Sequence, residues 1–183
     1  MRVAVARYGA GNVRSVELAF RRLGAETVVT AAPDELLAAD LAVLPGVGSA
    51  ATAMAGLRES GLDSALRERV DRGRPVLGIC LGLQLALEES EEDGGVRGLG
   101  LLPGRAVRLR AGRVPRIGWA RVEPDGAAYW FAHSYTAETD AATATSEGVV
   151  AEACAGSFLG VQYHPEKSGA AGARFLERCL SRA

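Results

Sequence analysis

Basic charge, histidine, paired cysteine and long apolar runs are all scarce in this 183-residue chain, and each shortage removes a class of function. Twenty-one Lys and Arg against 22 Asp and Glu leave a net charge of -1, which gives no long-range attraction for nucleic acid or anionic lipid. With two histidines and no Cys-x-x-Cys pair, a metal cluster is not expected, and neither is a cofactor. The three cysteines, Cys80, Cys154 and Cys179, are odd in number and far apart, which suits reduced thiols rather than a disulfide framework. No apolar run approaches the ~18 residues of a membrane span. The stretch from Met1 to Arg7 has too few apolar residues for a signal peptide and reads as a first strand, so a cytoplasmic protein is expected.

A chain of this length fits one domain around a single core, spanning residues 1–183. Its first half alternates short apolar runs with helical patterns. Val3 to Ala6, Glu26 to Val29, Leu41 to Leu44 and Val76 to Ile79 read as strands. Between them lie helical segments at Val13 to Leu23, at Asp34 to Ala39 behind Pro33, and at Ala50 to Arg72 with a break at Gly61. This order specifies an α/β fold with a mainly parallel central sheet flanked by helices, of flavodoxin-like kind, whose sites lie beyond the carboxyl ends of the strands. Glu88 to Gly100, acidic and glycine-rich, reads as an exposed loop that serves solubility. Extra, partly antiparallel strands are expected around Val107 to Leu109, Ala120 to Glu123, Tyr129 to His133, Ala142 to Thr145 and Phe158 to Tyr163. A closing helix is expected from Gly169 to Leu180.

Cys80 follows a buried strand in Gly78-Ile79-Cys80-Leu81-Gly82, the cysteine counterpart of a nucleophile elbow. Flanking glycines let backbone pass close on both sides of a sharp strand-to-helix turn that presents the side chain at the sheet's edge. A helix N-terminus beneath a sulfur favours the reactive thiolate. The same turn places the Leu81 amide where it could donate to an oxyanion. A cysteine after a strand is by itself more often a small core residue, and for Cys154 and Cys179, which lack such an elbow, that reading stands.

A base and its orienter are available in His164-Pro165-Glu166. Pro165 biases His164 toward extended backbone, in which positions i and i+2 project to one side. A carboxylate on one ring nitrogen would fix the tautomer and leave the other facing the nucleophile, the logic of a catalytic triad. Taken alone, the tripeptide could equally be a surface turn. His133 is the only rival base; it has no adjacent carboxylate and is expected to support a substrate pocket or to be a satisfied structural histidine.

Pro45-Gly46-Val47-Gly48-Ser49-Ala50-Ala51 contains Gly-x-Gly-x-x-Ala after a strand, the form of a dinucleotide-binding turn. Against that reading, no acidic residue ends a strand about twenty positions after Gly48, and the first strand's own Gly9-Ala10-Gly11 turn carries Arg14 where a third small residue belongs. The alternatives are a second oxyanion donor beside the cysteine or a plain turn.

The Cys80 elbow through Leu83-Gln84 and the His-Pro-Glu tripeptide resemble the triad (class I) glutamine amidotransferases. Four segments are similar in particular to the glutaminase subunits of imidazole glycerol phosphate synthase: Tyr8 to Asn12, Pro45 to Gly48, Pro115 to Trp119 and His164 to Ser168. Val47 and Leu83 stand where glutaminases for anthranilate or GMP synthesis have proline and histidine. The resemblance implies that Cys80 attacks glutamine's side-chain carbonyl, with His164 shuttling protons, Glu166 orienting it, and Leu81 and Val47 as backbone oxyanion donors. It places Gly48, Gln84, His133, Ser134 and Tyr135 around bound glutamine. It also implies a heterodimer with a (β/α)₈-barrel cyclase that uses the ammonia in histidine biosynthesis, docked at or near Asn12, Trp119, Trp130 and Lys167, and a Pro-Gly-Val-Gly turn whose peptide flips on activation.

Two departures from that pattern stand out: Arg7 occupies a place where an acidic residue is common, and the stretch between Tyr135 and Phe158 is short. Neither touches the triad. Competing readings are an amidotransferase of another pathway, a non-catalytic module of the same fold, and a cysteine peptidase; an intact triad disfavours the module, and glutamine against peptide substrates separates the peptidase.

Overall fold

The computed structural model describes residues 1–9, 11–110 and 112–183; Ala10, inside the Tyr8 to Asn12 motif, and Ala111 lie outside the described residues. The first half alternates as its sequence pattern requires: β1 (Arg2–Ala6), α1 (Val13–Arg22), β2 (Glu26–Thr30), α2 (Pro33–Ala38), β3 (Leu41–Leu44), α3 (Ala50–Ser60), α4 (Leu62–Asp71) and β4 (Val76–Ile79). Local chemistry sets the boundaries. The side chains of Asn12 and Ser49 accept from backbone N–H groups of the first turns of α1 and α3, satisfying donors that have no partner inside the helix. Gly61, at φ +71°, ends α3 and lets α4 leave in a new direction, a conformation that costs glycine little.

The second half adds α5 (Leu81–Ala86), β5 (Glu89–Ser90), a 3₁₀ turn (Glu92–Gly94), β6 (Val96–Arg97), β7 (Arg105–Arg108), β8 (Arg116–Arg121), β9 (Ala128–His133) and β10 (Tyr135–Glu138). β11 (Ala142–Ser146), β12 (Val149–Ala155), β13 (Phe158–Val161), a 3₁₀ turn (Pro165–Lys167) and α6 (Gly169–Ser181) complete it. A seven-stranded sheet runs in the order β11-β12-β13-β4-β3-β1-β2. From β13 to β2 neighbouring strands are parallel, and β12 and β11 extend the sheet antiparallel. Strand alternation distributes side chains to two apolar layers. Ala4 and Ala6 join Met54, Leu57 and Leu66 on one face, while Val3 and Val5 join Phe20, Tyr163 and Phe175 on the other. Buried Arg69 ties this frame together, donating to the carbonyls of Leu36, Ala39 and Pro75 at 2.8, 2.8 and 3.0 Å. Among the described residues no helix is long and apolar enough to cross a membrane.

Two expectations need correction, and one strand lies where none is expected. Glu88 to Gly100 is not simply an exposed loop: β5 pairs with β6 and β7, and its acidic tip docks on the start of α3. Glu92 accepts from the Ala50 amide at 3.0 Å, and Asp93 accepts from the Ala51 amide at 3.0 Å and the Ser49 hydroxyl at 2.7 Å. Carboxylates there satisfy free amides and meet the positive end of the helix dipole. The strand expected at Ala120 to Glu123 is the tail of β8, which begins at Arg116; its outward side carries exposed Ile117 and Trp119, so polar alternation does not announce it. β12 was not anticipated because its inward residues, Ala151 and Ala153, are small.

Candidate active site

The turns after β1, β3, β4 and β13 gather at the carboxyl edge of the sheet, and the candidate residues lie on them. Cys80 occupies φ +54°, ψ -107° at the junction of β4 and α5, a sparsely populated conformation for a non-glycine residue and the strained geometry of a nucleophile elbow. The glycines permit it by close approach. A Cβ on Gly78 would lie 2.9 Å from the Gly82 carbonyl, and one on Gly82 would lie 2.0 Å from the Leu44 oxygen. Leu81 follows as the first residue of α5, so its amide has no carbonyl partner within the helix.

His164 is 2% exposed, and its Nδ1 donates to Glu166 Oε1 at 2.8 Å. The Cys80 sulfur lies near enough for its charge to act on the ring. Burial pulls the imidazole's pKa down, but the influence of Cys80 and the bond and charge of Glu166 outweigh it and raise the pKa to about 9. The three expected triad residues are therefore brought together in the order thiol, imidazole, carboxylate. Ser168 holds the imidazole's backbone, donating to the His164 carbonyl at 2.6 Å and accepting from the Trp130 amide at 2.9 Å.

His133 does not take the base position. Its Nδ1 donates to the Tyr135 carbonyl at 2.8 Å, and its buried Nε2 has no hydrogen-bond partner among the described residues. Burial, followed by the charges of Arg116 and His164, pushes its pKa down to about 4 against the opposing effect of the Tyr135 bond. It is a neutral wall residue with a free lone pair.

A cavity of about 230 Å³ opens beside Cys80. Val47, Gly48, Leu81 and Gln84 border it on one side, and His133, Ser134 and Tyr135 on the other, so the residues expected around glutamine share one space. Gln84 is braced rather than free, its amide nitrogen donating to the Tyr135 carbonyl at 2.9 Å and to Gln162 at 3.1 Å. The sequence reading missed Gln162, whose amide nitrogen lies 3.7 Å from the Cys80 sulfur; a lone polar residue in an apolar strand just before His164 was its only signal. It also missed Glu92, which borders the cavity and was one of five acidic residues in a short run. A larger cavity, about 820 Å³, lies at the amino ends of β4 and β13 and is bordered by Cys154 and Cys179. Burial pushes the Cys179 thiol up to about 12, in keeping with an inert core cysteine, whereas Cys154 is exposed and is not the core residue expected.

The dinucleotide reading of Gly46 to Gly48 fails on geometry. A phosphate there would need the free amides at the start of α3, and Glu92 and Asp93 already occupy those of Ala50 and Ala51. Of the residues expected at a docking face, Trp119 is 57% exposed and stands edge-on to Trp130 at 5.9 Å. Lys167 and Asn12 are also exposed, and α1, which Asn12 caps, packs against the Pro165–Lys167 turn.

The family described as glutamine amidotransferase class-I matches residues 5–183, and the chain belongs to that family. Within it, the chain is 45% identical to the imidazole glycerol phosphate synthase subunit HisH of Moorella thermoacetica, over 96% of this chain and 92% of that one. It is 46% identical to the HisH subunit of Methanothermobacter thermautotrophicus, over 93% of each. A crystal structure of a glutamine amidotransferase superposes with a TM-score of 0.84 at 22% identity, covering 98% of this chain and 97% of that one.

Proposed function

We propose that this chain, acting as one domain, is the glutaminase subunit of imidazole glycerol phosphate synthase and supplies ammonia to a (β/α)₈-barrel cyclase in the cytoplasm. The observation that carries the reading is Cys80 on the wall of a cavity with the paired His164 and Glu166 beside it, in a chain 45% identical to a HisH subunit. An imidazolium beside the sulfur supports the thiolate. The thiolate adds to the side-chain carbonyl carbon of glutamine, and the oxyanion accepts from the Leu81 amide, with Val47 as the second donor. His164 gives its proton to the nitrogen as the C–N bond breaks, releasing ammonia and leaving a γ-glutamyl thioester. It then takes a proton from water, which cleaves the thioester to glutamate. Glu166 keeps Nδ1 protonated and stabilises the imidazolium.

Glu92 supplies a carboxylate at the cavity rim, where glutamine's α-ammonium would find a partner. Gly48, Gln84, Ser134, Tyr135 and the free nitrogen of His133 complete the substrate's surroundings. The exposed Trp119 with Trp130, flanked by Asn12 and Lys167, forms the cyclase-facing surface. Ile117 belongs both to this exposed ribbon and to the cavity wall, so a docked partner would cover the site and limit loss of ammonia to water.

Adding the cyclase subunit and its ligand is expected to raise glutamate release. Trp119→Ala should weaken the complex by about 2 kcal/mol, roughly 30-fold in Kd, as loss of a large interface anchor does. Titration calorimetry checks the affinity. An unchanged Kd would remove Trp119 from the interface, and glutamine left intact by the full complex would overturn the function.

A further inference from the structure

Tyr8 is part of a motif whose role the reaction above does not use. It is 5% exposed, two residues beyond β1, and its hydroxyl donates to the carbonyl of Pro45. Its backbone is fixed against α3, where a Cβ on Gly56 would lie 2.0 Å from the Tyr8 carbonyl oxygen. A Cβ on Gly46 would lie 3.1 Å from the Tyr8 hydroxyl on one side, and 2.6 Å from Leu81 Cβ and 2.9 Å from the Gly82 nitrogen on the other. The turn after β3 is thus pressed between a tyrosine hydroxyl and the first two residues of α5.

We propose that Tyr8 is a positioning residue for glutamine hydrolysis: its hydroxyl clamps the Pro45 carbonyl and seats the Gly46-Val47-Gly48 turn on the Cys80 elbow. This rests on the glutaminase reading above. The clamp sets the spacing between the Leu81 amide, fixed by the elbow, and the Val47 amide, carried by the turn. It also divides the turn into a held end at Pro45 and a movable end. Val47 is exposed and Gly48 sits at φ +102°, so any peptide rotation that brings a donor to the oxyanion pivots on the held end. Burial, followed by the nearby charge of Cys80, raises the phenol's pKa above its ordinary value. The hydroxyl therefore stays a donor when the sulfur is ionised.

Tyr8→Phe removes the hydroxyl and keeps the ring in the core. In the complex with the cyclase, kcat for glutamine should fall about tenfold, as expected for one lost buried hydrogen bond, with KM within about twofold. Alkylation of Cys80 by iodoacetamide, followed on its peptide by mass spectrometry, needs the thiolate but passes through no oxyanion. It should stay within about twofold of wild type, and ammonia-driven cyclase output should be unchanged, reporting an intact complex. Unaltered kcat would make Tyr8 a filler of the core. Alkylation that fell with kcat would place its action on the sulfur, and either result overturns the clamp. A wild-type complex that released no glutamate would overturn the function and the clamp together, whereas an active wild type with an unimpaired Tyr8→Phe variant overturns the clamp alone.

Discussion

Glutamine hydrolysis by a Cys80→Ala variant falls by at least about 10⁴-fold, the scale on which loss of a nucleophile acts in triad enzymes, while the same complex supplied with ammonium keeps its cyclase output. The first part follows from position. Among the described residues Cys80 is the only cysteine on the wall of the smaller cavity, and Cys154 and Cys179 border a separate cavity, so no second thiol can substitute. The second part follows from division of labour, because in the proposed mechanism the thiol makes ammonia and does not use it. Alanine is smaller than cysteine and enters the elbow without new contacts; its positive φ carries the strain that cysteine already bears. Assays of glutamate release and of ammonium-driven product formation on one preparation separate the two activities, and residual hydrolysis near the wild-type rate would remove Cys80 from the chemistry.

Glu166→Gln is expected to lower kcat by about 10²- to 10⁴-fold, as amide replacement of a triad carboxylate does. Glu166 is nearly inaccessible, with Oε1 on His164 Nδ1 at 2.8 Å and Oε2 without a hydrogen-bond partner among the described residues. A buried amide there either turns its NH₂ toward Nδ1, forcing the wrong tautomer, or buries it without an acceptor. In both orientations the negative charge is lost. Since that charge helps hold the His164 pKa up at about 9, the variant's pKa falls toward the ordinary value. Wild-type enzyme keeps the imidazolium, and hence activity, until pH rises through about 9. The alkaline limb of kcat/KM in the variant should therefore lie at lower pH. A pH profile that kept its alkaline limb in place would show that Glu166 does not set the protonation of His164.

The elbow was legible because its requirements are local. Gly78 and Gly82 flank Cys80 where backbone must approach within van der Waals contact, and the apolar Val76 to Ile79 run could only be a buried strand. His164 and Glu166 were legible for the same reason, being two residues apart with a proline between. Residues whose roles depend on long-range packing were not. Glu92 looks like any other acid in its run, and only the docking of the 3₁₀ turn on α3 brings it to the cavity. Ser168 was read as part of a motif, but its clamp on His164 and Trp130 appears only when β9 lies beside the Pro165–Lys167 turn. β12 illustrates the same limit in the fold, since alanines facing inward leave no contrast with their neighbours.

The dinucleotide reading shows the reverse case, a local pattern with more than one possible use. Gly-x-Gly-x-x-Ala marks a turn where backbone comes close to something. In this fold that something is the start of α5, and the α3 amides that would have held phosphate are held by carboxylates.

The central claim is a covalent one, that Cys80 carries the γ-glutamyl group between release of ammonia and release of glutamate. Acid quenching of the active complex during turnover, followed by mass spectrometry of its peptides, tests it directly. A γ-glutamyl adduct confined to the peptide bearing Cys80, and absent from the Cys80→Ala variant, is the result the account predicts; glutamine consumption with no adduct on that peptide, or with the adduct on Cys154 or Cys179, would contradict it.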